Sequence, residues 1–139
     1  MALDESKVQD KITEILSEIE GREFGCRERK STGHSTIKKP VDLEVYFKDN
    51  SDRVAIAVEV ADVNTTQLVG EVSRLYFDSC PLKLLILGHD NTQRNSKEQC
   101  ENQFNKFYAQ DDIQDTPVRV VWWDDDDQIR VSLKELLLL

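Results

Sequence analysis

The chain has 139 residues, of which 39% are hydrophobic and 32% charged, and its formal net charge is −9. That length suits one domain with a core large enough to fold without staples. No apolar run approaches the roughly 20 residues of a bilayer span, and evenly spread acidity would repel nucleic acid.

Met1 to Lys7 shows no signal-peptide pattern. Residues 4–20 set Val8, Ile12, Ile15, Leu16 and Ile19 at helical spacing, with Asp4 and Glu5 in the first turn and Gly21 as the stop. Residues 22–29 read as a short strand, and residues 30–39 as a turn-rich loop. From Arg22 to Lys39 there are six basic residues against only Glu23 and Glu28. The acid gathers later, at Asp111, Asp112, Asp115 and Asp124 to Asp127. The basic stretch is either a solvated loop or a holder of phosphate backbone.

Residues 41–48 and 53–60 read as strands joined by the turn Asp49-Asn50-Ser51-Asp52. Asn64-Thr65-Thr66 caps a helix running to Ser79, with Leu68, Val72, Leu75 and Tyr76 as its apolar stripe. Pro81 to Leu87, ended by Gly88, reads as a buried strand. Residues 96–109 form a further helix and Val118 to Trp123 a strand. The aspartate run is a turn, Gln128 to Val131 pair back as a strand, and Ser132 caps a short helix of leucines. The fold class is α/β, a single domain over residues 1–139 with a central mixed sheet flanked by helices. Cys26, Cys80 and Cys100 form no CxxC pair, so neither a zinc site nor a disulfide framework is indicated, and a reducing, cytoplasmic location is expected.

Two neighbouring strands each carry a carboxylate in apolar surroundings. Asp42 opens Val41-Asp42-Leu43-Glu44-Val45-Tyr46-Phe47, and Glu59 follows Val54-Ala55-Ile56-Ala57-Val58. A carboxylate inside an apolar strand costs several kcal/mol unless a charge or metal compensates it. A pair of them on adjacent strands is what a divalent-metal site needs. The competing reading is that Asp42, Glu44 and Tyr46 share one wet strand face.

Pro40-Val41-Asp42 at the start of one strand, and Glu59-Val60-Ala61 at the end of the next, resemble the motif of the restriction-endonuclease-like PD-(D/E)xK nucleases. The element order over residues 5–88 resembles their αβββαβ core. The match has one residue inserted in its first half and Ala61 where the motif has lysine.

The resemblance implies a Mg2+- or Mn2+-dependent nuclease acting on nucleic acid, DNA more than RNA. Asp42, Glu59 and the Val60 carbonyl would be metal ligands. Gln67, Glu71 and Arg74 share one face of the following helix, and Gln67 would face the site. In many such nucleases the first helix adds a glutamate; Glu14, Glu18 and Glu20 are the candidates. At the lysine position three explanations stand open. Arg74, Lys38 or Lys39 supplies the missing cation, the site is silent and the fold binds nucleic acid or protein, or Ala61 is an introduced substitution. Arg27, Arg29, Lys30, His34 and Lys38 are the candidate nucleic-acid contacts, although a lone loop histidine is more often simply exposed. The aspartate run lacks the glycine and spacing of a calcium loop, so a solvated turn is favoured. Trp122 and Trp123 would face opposite sides of their strand. The tail Leu136 to Leu139 either packs down or joins a homodimer contact.

Overall fold

Asp4 starts the first helix because its carboxylate accepts the Ser6 N–H, which the helix itself leaves unpaired. The computed structural model describes residues 4–19, 23–28, 42–62, 68–88, 96–110 and 117–138. Within them the chain forms α1 (Glu5–Leu16), β1 (Phe24–Glu28), β2 (Leu43–Phe47), β3 (Asn50–Asp62) and α2 (Leu68–Tyr76). It continues as β4 (Lys83–Gly88), α3 (Ser96–Gln110), β5 (Val118–Trp122) and α4 (Asp126–Leu137). The strands make one five-stranded sheet in sequence order. β1, β2 and β3 are antiparallel neighbours, whereas β4 and β5 run parallel to β3. The architecture is α/β, a mixed sheet flanked by helices.

Alternation along the strands divides the core into two layers. Val58 and Val60 of β3 turn toward α1 and α4, where Ile12, Leu16, Ile129 and Leu133 close over them. Ala57 and Ala61 turn the other way, toward Val72 and Leu75 of α2 and Phe104 of α3. Each helix lays its apolar stripe on the sheet, so both faces of the central strands are dry. No helix among the described residues is long and apolar enough to cross a membrane.

Several local expectations are corrected, and the helix expected to run to Ser79 ends at Tyr76. The turn is tighter than Asp49 to Asp52: Phe47 pairs with Asn50 across Lys48-Asp49, and Asn50, Ser51 and Asp52 already belong to β3. The extra residues are absorbed by register shifts between Val45 and Phe47, as β-bulges do. Gln128 to Val131 do not pair back as a strand but lie in α4. Asp125 accepts the Gln128 N–H as its cap, and Asp126 and Asp127 sit in its positive first turn. Ser132, expected as a cap, is buried in mid-helix.

The two tryptophans do take opposite faces, Trp122 against the α2–α3 layer and Trp123 against the α1–α4 layer. In the tail, Leu136 is buried and Leu137 half-buried, while Leu138 is exposed.

Candidate metal centre

Leu43 stands opposite Val58 and Glu44 opposite Ala57 in the β2–β3 ladder. One step further along this register sets Asp42 opposite Glu59. Cross-strand partners have Cβ atoms about 5 Å apart, so the two side chains meet on the face that α2 and α3 cover. The Val60 N–H donates to Asp42 Oδ2 at 3.0 Å, fixing the carboxylate where the ladder ends. Glu59 is 1% exposed. Arg74, reaching from α2, donates from Nη1 to Glu59 Oε1 at 3.3 Å.

The other Glu59 oxygen, Oε2, is buried and accepts no hydrogen bond among the described residues. Burial first, then the neighbouring Asp42 carboxyl, push Glu59 up to about 10. Arg74 opposes the rise and Glu71 adds to it. Arg74 does not win, because it offers one long contact from a guanidinium whose side chain is 29% exposed and therefore screened by water. Glu59 beside Asp42 thus either keeps a proton, shared between the two carboxyls, or ionises with a cation to balance the pair. Carboxylate oxygens such as these suit a hard divalent ion. Among the described residues no group of three or more His, Cys, Asp or Glu gathers for a metal. The pair would therefore rely on backbone, water or substrate oxygens for the remaining positions.

Ala61, two residues after Glu59, is 1% exposed and points into the α2–α3 layer. Glu71, one helical turn before Arg74, has a buried carboxylate oxygen and bears electrostatically on Glu59. Helix-face spacing in the sequence places Glu71 beside Arg74 but assigns it no role.

The remaining candidates fall elsewhere. Arg27 Nη2 and Nε hold Glu44 Oε2 at 3.0 and 3.3 Å, and the Ser51 carbonyl also accepts from Nη2. Its guanidinium lies 4.1 Å from the centroid of the Tyr46 ring. Glu44 is 3% exposed, so Arg27 neutralises a buried carboxylate. Glu14 and Glu18 line a cleft between α1 and α4, and Glu18 accepts from Arg130 Nε at 2.8 Å. That cleft lies on the opposite side of the sheet from Glu59. Neither glutamate joins the centre, contrary to the expectation for the first helix; Glu20 lies outside the described residues. Arg29, Lys30, His34, Lys38, Lys39 and Gln67 also lie outside them.

No protein-family model matches the chain, and no curated protein does.

Proposed function

We propose that this protein is a divalent-metal-dependent nuclease of the restriction-endonuclease-like type, hydrolysing phosphodiester bonds of nucleic acid, DNA more than RNA. The observation that carries this reading is Glu59 Oε2, a buried carboxylate oxygen without a donor among the described residues, set against the Asp42 carboxyl. Structural carboxylates at such burial normally have hydrogen-bond partners. The helix, antiparallel meander, helix and parallel strand around the pair agree with the motif's usual setting.

Asp42, Glu59 and the Val60 carbonyl would hold Mg2+ or Mn2+. A strand residue directs its N–H and C=O to the same side, so the carbonyl of Val60 faces the Asp42 end as its N–H does. When bound, the cation would polarise the scissile phosphate and lower the pKa of the attacking water. Arg74 would steady negative charge on the phosphate in place of the motif lysine. It cannot act as a base, because it stays protonated. Gln67 would orient the water, Lys39 is the other candidate for the missing cation, and Arg29, Lys30, His34 and Lys38 would contact the backbone. Arg27 would brace that side of the sheet through Glu44. A homodimer would serve cutting of both strands of a duplex. Three free, buried cysteines accord with a reducing, cytoplasmic setting.

A second reading has its own support. Ala61 is sealed in apolar packing where the lysine would act, and Arg74 already faces Glu59. Both features suit a silent module that binds nucleic acid or a protein partner.

Calorimetric titration with Mn2+ separates the readings without a choice of substrate. The nuclease reading expects binding by the wild type that Glu59→Ala abolishes. Asp42→Ala should likewise abolish cleavage in a nucleic-acid assay. Heat from the mutants equal to the wild type, or none from either, favours the silent module.

A further inference from the structure

Gly70 stands in the first turn of α2, exposed, with no atom of the described residues within 4 Å of the place a Cβ would take. Among the described residues no packing demand explains a glycine there, and glycine is the poorest helix former after proline. Alanine would fit and would strengthen the helix, so the bare position asks for another reason.

Its neighbourhood supplies one. Arg74 follows Gly70 by four residues, which makes them adjacent on the surface of α2. A helical side chain leans toward the helix N-terminus, so Arg74 leans over the turn that contains Gly70. Among the described residues the guanidinium donates to Glu59 alone, through Nη1, and about a third of the side chain is open to solvent. It has five N–H donors, and a phosphodiester accepts from two of them at once. Gly70 also belongs to the N-terminal turn of a nine-residue helix, the end whose partial positive charge favours a phosphate. Glu71, one turn before Arg74, has a buried oxygen, and its charge opposes an anion until a cation is present.

We propose that the open strip of α2 from Gly70 to Arg74 seats the phosphodiester backbone of a nucleic-acid strand, and that Gly70 is bare so the strand can reach the Arg74 guanidinium. This rests on the nuclease reading above and adds to it the surface along which substrate enters. Gly70 acts as a positioning residue, setting how closely the backbone approaches.

The test compares wild type, Gly70→Ala and Gly70→Leu. Affinity is read by anisotropy of a short fluorescein-labelled DNA strand, with Ca2+ in place of Mn2+ so that it stays uncut. Mn2+ titration and thermal melting accompany it. Gly70→Leu should weaken DNA binding at least tenfold while Mn2+ affinity stays within twofold of wild type. Gly70→Ala should melt a few degrees higher, as helix propensity dictates. If wild type binds DNA and Gly70→Leu binds it equally, the strip is not the seat, and the nuclease reading stands without it. A lower melting point for Gly70→Ala makes the glycine structural and overturns the inference. If wild type binds neither Mn2+ nor DNA, both readings fall.

Discussion

At the scale of single residues, burial makes Glu59 a source of pH dependence. Without a cation, burial and the Asp42 carboxyl push Glu59 up to about 10 in the folded chain, while an unfolded glutamate loses its proton near 4.5. Folded protein therefore binds more protons across that window. The stability gained is full below pH 4.5 and is lost as pH climbs toward 10. Glu59→Gln, which mimics the protonated form, should flatten this decline and leave the apo protein more stable than wild type at alkaline pH. Urea denaturation across pH reads this directly; parallel curves for the two proteins would contradict it. Excess Mn2+ should reverse the order, stabilising wild type and not the variant. The Asp42–Glu59 pairing was legible in the sequence because two apolar strands close together each displayed one carboxylate. The contest at Glu59 was not, since burial, Asp42, Glu71 and Arg74 come from separate elements and their balance depends on exposure.

At the scale of elements, β1 and α4 are the informative ones. Gly25 pairs with Tyr46 across β1 and β2, and a Cβ on Gly25 would stand 2.5 Å from the tyrosine ring. The ring lies over the glycine while Arg27 stacks on it. Gly25→Ala must push the ring aside and disturb the Arg27–Glu44 pair, so a loss of about 1–3 kcal/mol is expected in equilibrium unfolding. That is opposite in sign to the change expected at Gly70, where space is open. In α4, Asp125→Ala removes the cap on Gln128 N–H and should cost about 1 kcal/mol by the same measurement. The aspartate run looked like a turn because aspartate favours turns and caps alike. What decides between them is the stripe that follows, Ile129, Leu133 and Leu136, which finds a dry surface on the sheet.

Over the whole molecule, the three thiols report on both core layers. Cys26 lies in the α1–α4 layer, Cys80 and Cys100 in the α2–α3 layer. Burial, aided by Glu44, pushes Cys26 up to about 12, and burial with Glu101 and Glu71 pushes Cys100 to about 11. Thiolates react and thiols do not, so alkylation near neutral pH should wait for unfolding. Reaction of all three at the rate of global unfolding is the expected result; rapid labelling of one would expose its layer as open. Lys83 shows how far tertiary context reaches. The residue is 5% exposed, its Nζ donates to the Tyr76 carbonyl at the end of α2 at 2.7 Å, and Tyr76 and Tyr108 rings flank it. Burial lowers its pKa. In the sequence it was merely the one charge in an apolar strand. The sequence by itself determined the alternation of helices and strands, the buried central strands and the carboxylate pair, because each rests on local periodicity or on residues a few positions apart. Only the tertiary structure decided which face of the sheet each helix covers. That placement turns Arg74 and Glu71 toward Glu59, turns Glu14 and Glu18 away from it, and gives Arg27 to Glu44. The physical reason is that charge partners are chosen by distance and exposure in three dimensions, and neither quantity is carried by spacing along the chain.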